Sequence, residues 1–143
     1  MQVNFLDWIF KADVNSTATL YSSIERDIEE MWCSYDSCSH YLKYKDSVFP
    51  HPVLDILIKL GINYNKEVNI IDQGNVSSDR IWYETWFDFK GEVLSGPIGW
   101  DKSVEISDDF SMCVVYVEEN ALSHYFGKEK PVVSLHFIVK VPL

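Results

Sequence analysis

The sequence predicts an α+β fold, with an N-terminal region of two helices packed on an antiparallel sheet of about five strands. Three observations predict it. Apolar residues recur at spacings of three and four between residues 20 and 35, and a second, mostly apolar helical run spans residues 53–60. From Asn63 onward they recur every second residue. Short breaker clusters then divide the second part into runs of strand length, as in a meander. The 143 residues are the size of one compact domain, and no repeat, low-complexity tract or linker divides them.

Val3 to Phe10 is apolar on both alternating sets and reads as a strand. Asp13-Val14-Asn15-Ser16-Thr17 is rich in N-cap residues. Leu20, Ile24, Ile28, Met31 and Tyr35 follow at helical spacing, widened by Tyr21 and Trp32, which predicts a helix from about Ser16 to about Tyr35. Its outer face carries Glu25, Arg26, Asp27, Glu29 and Glu30. Acids in the second half of a helix oppose its dipole, so this patch suits retention for a partner. Asp36 to Pro50 is polar and reads as irregular, with a short edge strand at Tyr41–Lys45. Pro52 opens a second helix through Leu60, with only Asp55 and Lys59 polar, so burial on most sides is expected; Gly61 supplies its C-cap.

Glu67 to Asp72 reads as a strand, joined by the loop at residues 73–79 to Arg80–Phe89 as a hairpin. That second strand alternates strictly: Ile81, Tyr83, Thr85, Phe87 and Phe89 form a core face, and Trp82, Glu84, Trp86 and Asp88 the other. Lys90-Gly91 reads as a turn, Glu92–Ser95 as a short strand and Gly96-Pro97-Ile98-Gly99 as a breaker. Lys102–Ile106 and Phe110–Val117 are further strands, and residues 118–130 a charged connection with a helical turn at Asn120–Tyr125. In the last strand, Val132–Val141, the residues Val133, Leu135, Phe137, Val139 and Val141 make one face, and His136 and Lys140 lie on the other.

Twenty-two acidic against twelve basic residues give a net charge of −10. Such a domain repels phosphate backbones and anionic lipid, so direct nucleic-acid or membrane binding is disfavoured and a basic protein partner favoured. Three cysteines, Cys33, Cys38 and Cys113, suit a reducing cytoplasm better than a disulfide scaffold. MQVNFLDWIF lacks a basic leader and carries Asp7, so no signal peptide is expected, and no apolar run reaches the roughly 18 residues of a membrane span.

No motif identifies an activity. Cys33, Cys38, His40 and His51 are four zinc-ligand types, but their spacing matches no usual zinc pattern, so neither metal nor cofactor is expected. Cys38 beside His40 or His51 lacks the helix N-terminus or cation that activates a thiol. Glu84 and Asp88 lie roughly 13 Å apart along one strand face, too far for glycosidase geometry. Lone His124 and His136 receive no role.

Tryptophans rimmed by carboxylates are what a recognition surface for a basic protein needs. A second acidic run, Asp101–Glu119, adds six acids with one lysine. In general character the chain resembles bacterial toxin-immunity proteins and phage-encoded inhibitors, a likeness of composition that carries over no residue roles. The expectation is a cytoplasmic, non-enzymatic domain that inhibits a basic partner such as a toxin or nucleic-acid enzyme. Trp82, Glu84, Trp86 and Asp88 would form the contact, and Glu25, Asp27, Glu29 and Glu30 a second patch. The alternatives are a small-ligand or enzymatic pocket between the sheet and the 53–60 helix, and a homodimer formed through exposed strand faces.

Overall fold

The computed structural model describes residues 1–24, 36–117 and 131–143, with side chains described from residue 39 in the second segment. It is an α+β fold. Among the described residues there are three helices and an antiparallel sheet of seven strands. They run β1 (Gln2–Phe5), β2 (Trp8–Ala12), α1 (Val14–Ser23), α2 (Asp36–Val48), α3 (His51–Leu60), β3 (Asn69–Asn75), β4 (Arg80–Ser95), β5 (Val104–Ser107), β6 (Phe110–Tyr116) and β7 (Val132–Pro142). The sheet order is β1-β2-β4-β7-β6-β5, with β3 also paired to β4. No described helix is long and apolar enough to cross a membrane.

The N-terminal run is a hairpin rather than one strand. Leu6, in the left-handed region, turns the chain at Leu6-Asp7. Val3, Phe5, Trp8 and Phe10 then all face inward, which is why both alternating sets look apolar. α1 starts where expected, capped by the Asp13 carboxylate on the Ser16 amide, but it ends at Ser23 with Ile24 extended. Ser22 and Ser23 hydroxyls bond back to the carbonyls of Thr19 and Leu20, and Lys66 Nζ satisfies the carbonyls of Tyr21 and Ile24. The remainder of the expected helix lies outside the described residues.

The irregular segment with an edge strand at Tyr41–Lys45 is instead part of helix α2. Its inward stripe is narrow, with Tyr41 and Lys45 buried. The Lys45 ammonium is 2.7 Å from Glu67, 2.6 Å from the Tyr64 carbonyl and 3.8 Å above the Tyr64 ring. A lysine so placed reads as surface in the sequence. α3 ends on Gly61 at φ 84° as expected, but it is not buried on most sides: Ile58 is exposed.

β4 is sixteen residues long because no turn forms at Lys90-Gly91. β2 pairs there, with Gly91 opposite Ala12, and a Cβ on Gly91 would overlap the Lys11 carbonyl oxygen. One edge of β4 is taken by β7 over Arg80–Lys90. The other edge is shared: β3 takes Ile81–Trp86 and β2 takes Gly91–Ser95. In the gap between them, α1 supplies hydroxyls in place of a strand. Tyr21 donates to the Asp88 carbonyl and accepts from its amide, and Thr17 Oγ1 accepts from the Lys90 amide.

The core lies between the helices and one face of the sheet. Tyr83, Thr85, Phe87 and Phe89 of β4, the odd-numbered residues of β7, and Phe110, Met112 and Val114 of β6 are all buried. Phe49 closes α2 onto the sheet, edge-on to Phe110 at 4.9 Å and Phe137 at 5.6 Å. Each such ring contributes roughly 1.5–3 kcal/mol by burial. The even-numbered residues of β4 and β7 are thereby directed to the face opposite the helices.

Candidate functional site

On that opposite face, register sets residues of β4, β7 and β6 side by side. Trp86, His136 and Cys113 form one cross-strand row, and Asp88, Ser134 and Val115 the next. Trp86 and His136 stack at 4.8 Å with planes 16° apart. Glu84, one diagonal step away, accepts a hydrogen bond from His136 Nδ1 at 3.2 Å, and Gln73 Nε2 donates to its other oxygen. Burial pushes the imidazole below its ordinary pKa, and Glu84 restrains that fall. Burial and the Glu84 charge push the Cys113 thiol up to about 11, leaving it a poor nucleophile at neutral pH.

Trp100 completes the wall from outside the sheet. The loop that carries it is tied down twice: Trp8 Nε1 donates to the Pro97 carbonyl at 2.7 Å, and the Gly99 amide donates to the Val114 carbonyl at 2.9 Å. Its ring meets His136 edge-on at 4.4 Å while remaining 64% exposed. Glu84, Trp86, Trp100 and His136, with Ile71, Val115, Tyr116 and Val117, line the sides of a cleft of about 340 Å³. Asp88 and Ser134 form its polar floor. Burial raises the Asp88 carboxyl to about 7, and the nearby Ser134 hydroxyl holds that rise back. Asp88 Oδ1 and Ser134 Oγ are both buried without a hydrogen-bond partner of regular geometry.

The four residues expected to form the contact thus share one face but not one environment. Trp82, beside Lys140, is half-buried; Glu84 and Trp86 are half-buried within the cleft wall; Asp88 is 2% exposed. Glu25, Asp27, Glu29 and Glu30 lie outside the described residues, as do Cys33, the side chain of Cys38, and His124. His40 Nδ1 is 2.8 Å from the Tyr83 hydroxyl on the core side, and His51 is exposed at the start of α3. Among the described residues no three potential metal ligands converge. In the second acidic run, Asp101, Glu105 and Asp108 are exposed.

Sequence reasoning missed His136, Ser134 and Trp100. A signal for the first two exists: β4 and β7 are the two longest alternating runs, and pairing them sets the even residues of one beside the even residues of the other. Trp100 had no such signal, because a loop delivers it. The cleft lies on the opposite side of the sheet from α3. Protein-family models, curated proteins and solved structures contain no match to this chain.

Proposed function

We propose that this is a non-enzymatic recognition domain that binds and neutralises a basic protein, such as a toxin or a nucleic-acid enzyme. The observation that carries the reading is the cleft itself: two indoles and two carboxylates converge there, and no lysine or arginine lines it among the described residues. Aromatic walls with acidic groups suit cationic side chains, and the net charge of −10 steers a basic surface toward them. Among the described residues, the Cys113 thiol is held high and His136 is held by Glu84, so neither is an activated nucleophile to set against this reading.

The test is capture of basic proteins on immobilised domain, washed at low and then high salt, repeated with Trp86→Ala/Glu84→Lys. A specific partner should elute with salt, and the double variant should weaken its binding by roughly 2–4 kcal/mol while keeping the wild-type circular dichroism. Equal affinity in the folded double variant would remove this face from the interaction. The cleft also favours a second reading, a small-ligand site, since its volume fits a compact molecule. Salt separates the two, because an apolar ligand would hold at ionic strengths that strip a basic protein.

A further inference from the structure

We propose that the cleft between Trp86 and Trp100 is a receptor for a single arginine side chain, whose guanidinium reaches the Asp88–Ser134 floor. This assignment rests on the reading of the domain as a binder of basic proteins, and it names the chemical group that the partner inserts.

The floor asks for a hydrogen-bond donor. Asp88 and Ser134 are directly opposed residues of β4 and β7, each 2% exposed, and neither Asp88 Oδ1 nor Ser134 Oγ has a hydrogen-bond partner of regular geometry. A buried carboxylate oxygen left unpaired is costly, and a cation with several N–H groups satisfies it best. The cleft has no cation of its own to do so: His136 is engaged by Glu84, and no lysine or arginine lines the walls among the described residues.

The walls select among cations. Trp86 is held flat by its stack on His136, and Trp100 stands exposed at the rim. Flat indole faces favour a planar, weakly hydrated guanidinium over a compact, strongly hydrated ammonium. The guanidinium fork also presents parallel N–H groups, which match a carboxylate with a hydroxyl beside it better than a point charge does. The apolar lining by Ile71, Val115 and Val117 accommodates the methylene stem of a long side chain.

The probe is N-acetyl-arginine amide, titrated against the full chain at pH 8 with tryptophan fluorescence and ligand-observed NMR. The isosteric but uncharged citrulline amide and the lysine amide serve as comparisons. Saturable arginine binding is expected, at least about tenfold tighter than either comparison. Asp88→Asn and Trp100→Ala should each weaken it about tenfold or more. Trp100 is exposed, so its truncation tests the pocket even if the Asp88 variant folds poorly. Absence of saturable arginine binding, citrulline bound as well as arginine, or unchanged affinity in both folded variants would overturn the assignment. A basic protein held equally by wild type and Asp88→Asn would overturn it too, while leaving the domain a binder of basic proteins. Arginine amide bound at this site with no basic protein captured would support the pocket and remove the protein-partner reading.

Discussion

Replacing Asp88 by Asn should make the protein's stability respond differently to pH. Burial raises the Asp88 carboxyl from its ordinary 3.8 to about 7. The folded state therefore keeps this proton to a higher pH than the unfolded state does. The Asp88 contribution to stability is fullest below about pH 4, falls as pH rises toward 7, and levels off above it. The full swing is about three pH units at about 1.4 kcal/mol each, or about 4 kcal/mol, of which about 2–3 kcal/mol falls between pH 5 and pH 8. Asn cannot ionise, so Asp88→Asn loses this swing whatever fixed offset its amide introduces. Urea denaturation of both proteins at pH 5, 6, 7 and 8 measures it. The difference in unfolding free energy should move by about 2–3 kcal/mol in the variant's favour as pH rises. His136 also titrates on this face, but its contribution largely cancels in the difference. A difference constant to within about 0.5 kcal/mol across the range would show that Asp88 is not held in a water-poor floor, and the reasoning from its burial would fall.

Three other outcomes follow from the packing. Tyr21→Phe should cost about 2–3 kcal/mol in urea denaturation, because it strips the buried Asp88 amide and carbonyl of their shared partner at once. Gly91→Ala should cost about 3 kcal/mol or more and raise hydrogen exchange through β1 and β2, since the new methyl must push the Lys11 carbonyl away. Lys45→Met should cost about 3–5 kcal/mol by leaving Glu67 buried without its ammonium, and Lys45→Met/Glu67→Leu should recover much of that loss, both read from thermal midpoints.

Long alternation was the most legible signal in this chain. β4 and β7 appear in the sequence with the correct face inward, because a two-residue period sustained over ten residues has few other solutions. The Pro52-to-Gly61 helix was legible from its ends, where local chemistry decides. α2 was not, because its inward stripe contains a lysine and tyrosines, and only the distant Glu67 makes Lys45 a core residue. Gly91 resembled a turn because a glycine needed for close strand approach has the same letter as one needed for a bend. At the candidate site, Trp82, Glu84, Trp86 and Asp88 could be grouped on one face from their spacing. That Asp88 is buried at the floor of a cleft while Glu84 is tied to a histidine 52 residues away depends on strand pairing, which no local pattern contains.

The edge of β4 that β2 and β3 share has a consequence for how the sheet comes apart. The two strands do not pair with each other along that edge; between their stretches of β4 stands a pair of hydroxyls from α1. The N-terminal hairpin and β3 are therefore separate tenants, and either can leave without unzipping the other. The docking of α1 couples their departures, so a helix that contributes no strand bears on whether this half of the sheet opens as one cooperative unit or as two.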